Sequence, residues 1–121
     1  MEKPHKKLEA WKQSVDLVVK IYQATEQFPN QEVYGITNQV RRAAVSIPSN
    51  IAEGAARQTK KEFRNFLHVA QGSLSELDTQ IEIASRLEYL DGKLRSDLDE
   101  KLEPVDKMIT GLIRHLSKNK E

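Results

Sequence analysis

The 121-residue chain contains no cysteine. Disulfides, thiolate nucleophiles and cysteine-ligated zinc are thereby excluded. Glycine and proline are scarce, at 5 and 4 residues, while hydrophobic residues make up 38% and charged residues 31%. That is a helix-rich balance, sufficient for one core. No apolar run approaches the roughly 20 residues of a membrane span. The opening MEKPHKKLEAW lacks the apolar stretch of a secretory signal. The net charge is only +1, so no global field recruits nucleic acid or lipid, and any such contact must come from a local patch. A single domain over residues 1–121, cytoplasmic and without membrane contact, is expected.

What is present is helical periodicity, four times over. Leu8, Trp11, Val15, Val18, Tyr22 and Thr25 repeat at three- and four-residue steps, with Leu17, Ile21, Ala24 and Phe28 as a second row. Pro29 closes this helix, because the residue before proline is pushed out of the α region. A second helix carries Val40, Ala43, Ala44, Ile47, Ile51 and Ala55 on one arc and stops at Gly54, a residue suited to a left-handed C-cap. Thr59 and Glu62 form a capping box for the third. That helix bears Phe63, Phe66, Leu67, Ala70, Leu74, Leu77, Ile81, Ala84 and Leu87. The fourth places Leu94, Leu98, Leu102, Val105, Ile109, Leu112 and Leu116 in phase through Pro104, which predicts a bent helix and not a break. The expected spans are 8–28, 36–53, 60–90 and 93–117. Connections this short make neighbours antiparallel, giving an all-α, up-down-up-down four-helix bundle.

The second helix raises a question of burial. Besides its core arc it has a polar arc of Gln39, Arg42, Ser46, Ser49, Asn50 and Glu53, and a third arc of Arg41, Val45, Pro48 and Ala52. Little of this is the Lys/Glu surface that water favours, so burial on more than one side is expected. Arg42 and Glu53 lie three turns apart, about 16 Å, and cannot pair with each other. Residues of helices 2 and 3 whose numbers add to about 115 are expected to be level across the antiparallel link. This places Arg42 near Ser73 and Glu76, Asn50 near Asn65 and His68, and Glu53 near Lys61 and Arg64. The set Arg42, Ser46, Asn50, Glu53, Ser73 and Glu76 is expected to form a structural or assembly network, either within the chain or shared between copies.

Four segments together resemble the 23S rRNA-intervening sequence protein family, also called the S23 ribosomal protein family. They are LEAWKQSVDLVVKIYQATEQFP, YGITNQVRRAAVSIPSNIAEG, KKEFRNFLHVAQGSLSELDTQ and the tyrosine-leucine end of helix 3. The resemblance spans residues 8–90 and is weak over helix 4. It implies a bacterial bundle that assembles into a ring, typically a homopentamer. Positions matching the family's recurring motif are Arg42, Ser46, Asn50, Glu53, Gly54, Gly72, Ser73 and Glu76, and no catalytic role comes with them. Distant relatives are accessory proteins of diversity-generating retroelements, which are basic pentamers that bind nucleic acid; the near-neutral charge here departs from them.

Chemistry-bearing patterns are otherwise sparse. The Glu-x-x-His step of bundle di-iron sites is missing on the helices, where Asn65 precedes His68 and Leu112 precedes His115. Ser46, Ser49 and Ser73 sit within helices, where hydroxyls bond back to the backbone. No catalytic set, cofactor or metal is expected. Arg57, Lys60, Lys61 and Arg64 cluster where helix 3 begins and oppose its dipole, a conflict that an anion or RNA phosphate would relieve. Residues 39–68 hold six basic and two acidic groups, whereas residues 91–106 hold three and six. The basic cluster can therefore meet phosphates, or the acidic helix 4 of a neighbouring copy. Trp11 and Tyr22 are expected in the core, and Tyr34 and Tyr89 as caps at helix ends. Two functions follow as expectations: an oligomeric scaffold that presents a repeated surface to RNA or protein, or a nucleic-acid-binding module.

Overall fold

A computed structural model describes residues 3–118. Four helices span Glu9–Thr25 (α1), Ile36–Ala55 (α2), Lys60–Arg86 (α3) and Gly92–Lys118 (α4), with 3-10 turns at Pro4–Lys7 and Asn30–Glu32. No strand occurs among the described residues. Each helix packs on two neighbours, α1 and α3 both touching α2 and α4, while α1 and α3 do not meet. Ser46 bonds to Ser73, and Gly54 lies against Phe63 and Phe66, so α2 and α3 run in opposite directions. Arg64 reaches Leu116, Gln71 reaches Thr110 and Arg95 reaches Glu82, which makes α3 and α4 antiparallel as well. This is the all-α, up-down-up-down four-helix bundle that the periodicities predict.

The core is a column of branched aliphatics. Leu17, Ile21, Ile47, Ile51, Leu67, Leu77, Ile81, Leu98 and Ile109 are essentially removed from water, each contributing about 1.5–3 kcal/mol of transfer free energy. In α1 it is the Leu17–Ile21–Ala24 row, extended by Ala10 and Ser14, that faces inward. The row of Val15, Val18 and Tyr22 lies at the rim or outside, which corrects the core placement of Tyr22. Trp11 is half-buried and packs edge-on against His5.

Helix ends depart from the spans expected. α1 stops at Thr25, whose hydroxyl bonds back to Ile21 and Tyr22, so the chain turns before Pro29 acts. α2 continues to Ala55, and no glycine has positive φ among the described residues. Gly54 is therefore not a left-handed cap. It is inside the helix because a β-carbon there would stand 2.8 Å from Phe63 Cδ1 and 2.9 Å from Phe66 Cβ. α3 stops at Arg86, not at residue 90, and the left-handed residue after it is Glu88, with φ of 64°. Glu88 N–H donates to Ser85 and Tyr89 N–H to Ala84, a Schellman closure made without glycine. Thr59 Oγ1 accepts from Glu62 N–H at 3.1 Å as the capping box requires, but the Glu62 carboxylate accepts from the Thr59 hydroxyl instead of its backbone. α4 runs unbroken through Pro104, and α2 through a buried Pro48. No helix among the described residues is long and apolar enough to cross a membrane.

Candidate functional site

The third arc of α2 finds its cover inside the chain. Arg41 donates from Nε to Thr25 Oγ1 at 2.8 Å, and its guanidinium stacks on the Tyr22 ring at 4.5 Å. Val45, Pro48 and Ala52 fall on the same side of the helix as Arg41. Pro48 is buried, Ala52 half-buried, and Val45 exposed. α2 also packs against the N-terminal turn. Most of the missing Lys/Glu surface is thus explained by α1 and that turn, without a second molecule.

The polar arc borders a cleft between α2 and α3. Ser46 and Ser73 hydroxyls bond at 2.8 Å and close one end. Asn50 donates to the Ser46 carbonyl and hydroxyl, at 2.8 and 3.0 Å. Beyond the serine pair the cleft opens to about 380 Å³, bordered by Asn38, Gln39, Arg42, Glu76 and Gln80 above Ala43. Arg42 and Glu76 flank it and form no ion pair with each other or with any other described residue. Gln80 is only 8% exposed, and its Oε1 has no hydrogen-bond partner among the described residues. A buried amide in that state costs about 1–3 kcal/mol.

The expected network is assembled differently. Ser46 with Ser73, and Gly54 with Phe63 and Phe66, are pairs whose numbers add to between 117 and 120, a shift of roughly half a turn to one and a half turns from the expected register. The link between Ala55 and Lys60 is centred where expected, so the shift comes from how the two helices pack, with Gly54 seated against Phe63 and Phe66. Arg42 does share its cleft with Ser73 and Glu76. Asn50 bonds its own helix, not Asn65 or His68. Glu53 pairs with Arg57 at 2.9 Å, four residues on, and not with Lys61 or Arg64. Gln80, the cleft's most telling residue, was not among the expected set, since a glutamine within an amphipathic helix reads as surface. Its position in the series Val69, Ser73, Glu76, Gln80, Ile83, Leu87 is the signal that finds it.

At one end of the bundle the fold gathers positive charge from three helices. Arg57 and Arg64 are already engaged: Arg57 stacks on Phe66 at 4.8 Å besides pairing with Glu53, and Arg64 Nη1 caps the Leu116 carbonyl at 2.8 Å. Lys60 and Lys61 are exposed. The start of α1 and the end of α4 lie together at this same end. With the turn before α1 they add Lys3, Lys6, Lys7, Arg114 and Lys118, and Lys12, which pairs with Glu9 at 3.6 Å; the sequence patch includes none of these. The opposite sign collects between α3 and α4, where Asp78, Asp99, Glu103 and Asp106 surround Leu74 and Leu102 in a cleft of about 420 Å³. Arg95 crosses nearby and holds Glu82 at 2.9 Å and Asp99 at 3.2 Å. No group of three or more His, Asp or Glu among the described residues is placed to hold a metal ion.

The family model for 23S rRNA-intervening sequence proteins matches residues 6–111. The chain belongs to that family. A solved structure of a protein of unknown function from the S23 ribosomal protein family of Bacteroides thetaiotaomicron VPI-5482 superposes with a TM-score of 0.80. It is 22% identical and covers 87% of this chain and 95% of that one, and so shares the fold. No curated protein matches the chain. In this 23S rRNA-intervening sequence protein Arg42, Ser46, Ser73 and Glu76 of the expected network all border the α2–α3 cleft, and Asn50 is tied to it through Ser46.

Proposed function

We propose that the protein is a non-enzymatic scaffold that works as a ring of identical copies, with five as the expected number. The observation that carries this is the placement of apolar surface. Exposed large apolar side chains sit on α1 (Val19, Tyr22), α2 (Val45), α3 (Val69, Ile83) with Leu87 just past its end, and the α1–α2 link (Val33, Tyr34), and none on α4 among the described residues. Tyr34 is 93% exposed, where a core cap was expected. Two different apolar surfaces flank α2, one toward α1 and one toward α3. Unlike surfaces on one subunit make a head-to-tail contact, and such contacts close into rings. Adjoining faces of a four-helix bundle meet at roughly 90°, and wedges of about 70–90° close into four or five copies. α2 then lies toward the axis and α4 outside, with its charged surface in water. In this arrangement apolar seams, not the contact between the basic end and a neighbour's acidic α4, hold the ring. The test is Ile83→Asp with Leu87→Asp, followed by sedimentation and circular dichroism. Loss of assembly with helicity retained supports the seam; unchanged mass overturns it.

The basic end favours a second reading, in which the ring presents this surface to RNA. Repetition around a ring multiplies weak phosphate contacts into one avid surface. Binding to structured RNA across a salt series tests it. Lys60→Glu with Lys61→Glu should lower affinity and flatten the salt slope; unaltered values remove this surface as the site.

A further inference from the structure

We propose that Tyr22 of one copy enters the α2–α3 cleft of the next and hydrogen-bonds to the side-chain amide of Gln80. This rests on the head-to-tail assembly above and names the pair of residues that meet in it.

The cleft side begins with α3. Val69, Ser73, Glu76, Gln80, Ile83 and Leu87 follow four- and three-residue steps, the spacing of a helix-pairing seam. The seam runs 18 residues, about 27 Å. Its ends are exposed and apolar, at Val69 and at Ile83 with Leu87. Its middle is polar, and there Gln80 is buried with Oε1 unpartnered at the wall of the 380 Å³ cleft. An occupant must therefore be a largely apolar stripe that offers Gln80 one hydrogen-bonding group.

The bundle carries such a stripe itself. On α1, Val15, Val19 and Tyr22 take the same four- and three-residue steps and lie on the rim or outside the core. Tyr22 is 41% exposed. Its ring is held by Arg41 at 4.5 Å, and its hydroxyl bonds to no described residue. A phenol both donates and accepts, so it can meet either end of a glutamine amide.

Level supports the match. Cyclic symmetry about an axis along the bundle places neighbours side by side without axial offset, so α1 of one copy runs parallel to α3 of the next. Phe28 packs on Tyr89 at 5.5 Å, and Gln27 bonds the Tyr89 carbonyl. Tyr89 follows these by 61 and 62 residues, so Tyr22 is level with about residue 83. Side chains on both helices lean toward the N-terminus, and the Tyr22 side chain is the longer, which carries its hydroxyl back toward the level of Gln80.

The absence of native cysteine makes the test clean. Val19→Cys with Ile83→Cys leaves Tyr22 and Gln80 in place, and within one copy no Cα of α1 comes within 8 Å of one in α3, too far for a disulfide. Mild oxidation of the double variant should give a ladder of disulfide-linked multimers on denaturing gels, and neither single variant should. In parallel, Tyr22→Phe should weaken assembly about fivefold to tenfold by sedimentation, the range of one hydrogen bond, with helicity unchanged. Adding Gln80→Leu to Tyr22→Phe should restore most of it. An intact multimer that forms no ladder and is indifferent to Tyr22→Phe overturns this pairing while leaving the scaffold standing. Dimers from Ile83→Cys alone point to a two-fold α3–α3 contact and overturn it too. A monomeric wild-type chain overturns both.

Discussion

Gly54 of α2 and Phe63 of α3 are in such close contact that a single added carbon does not fit: a β-carbon on Gly54 would sit 2.8 Å from Phe63 Cδ1. This contact fixes how near the two helices approach, and with it the register that brings Ser46 to Ser73. Gly54→Ala sets two effects against each other. Alanine favours a helix interior by about 1 kcal/mol, whereas overpacking costs about 1–3 kcal/mol. The neighbouring Phe66 Cβ at 2.9 Å belongs to the stiff base of a side chain and yields little, so overpacking wins. Chemical denaturation should show Gly54→Ala less stable than wild type.

Glu88 holds the left-handed position that ends α3, with φ of 64°. A residue with a β-carbon loses about 1–2 kcal/mol there, and glycine does not. Glu88→Gly should raise the thermal midpoint, while Glu88→Ala should leave it near wild type, because alanine keeps the β-carbon.

The Arg95 cluster makes stability depend on acid. Arg86 at 2.8 Å and then Arg95 at 2.9 Å hydrogen-bond the Glu82 carboxylate and hold its pKa below the usual value. A carboxyl whose folded pKa is depressed stabilises fully above its unfolded value and loses that contribution as pH falls through the folded one. Urea midpoints should therefore drop as pH is lowered from about 4.5 downward. Glu82→Gln should flatten the drop; an identical profile in the variant would remove Glu82 as its source.

Tyr89 donates its phenol to Glu32 Oε2 at 2.9 Å, tying the α1–α2 link to the end of α3. The hydrogen bond to Glu32 pushes the Tyr89 pKa up. Ultraviolet titration should show the Tyr89 phenol ionising above the usual range, and Glu32→Gln should lower it.

Helix number, order and most of the core are legible in the sequence because branched aliphatics at three- and four-residue steps leave few alternatives. On α1 the expected row of Leu17, Ile21, Ala24 and Phe28 is buried, and the inward face also uses Ala10 and Ser14, residues too small to stand out, while Tyr22 of the other row is exposed. The register of α2 on α3 is not legible in the sequence because it depends on how closely Gly54 lets the two helices approach. Its role as a contact point exists only once Phe63 and Phe66 are across from it. The α2–α3 cleft was legible in part. Arg42, Ser46, Ser73 and Glu76 were in the expected set, but Gln80 becomes informative only through burial, which one helix's pattern cannot disclose. The basic end likewise needs the fold, since Lys3 and Lys118 are distant in sequence and share one end of the bundle.

The most direct test of the central claim is the molar mass of the wild-type chain in dilute solution, by light scattering on a size-exclusion column. Five copies of a 13.8 kDa chain give about 69 kDa, and that mass, holding across micromolar dilution, is the predicted result. A mass of 13.8 kDa at every concentration would leave Val19, Ile83 and Leu87 as the surface of a monomer and contradict the scaffold.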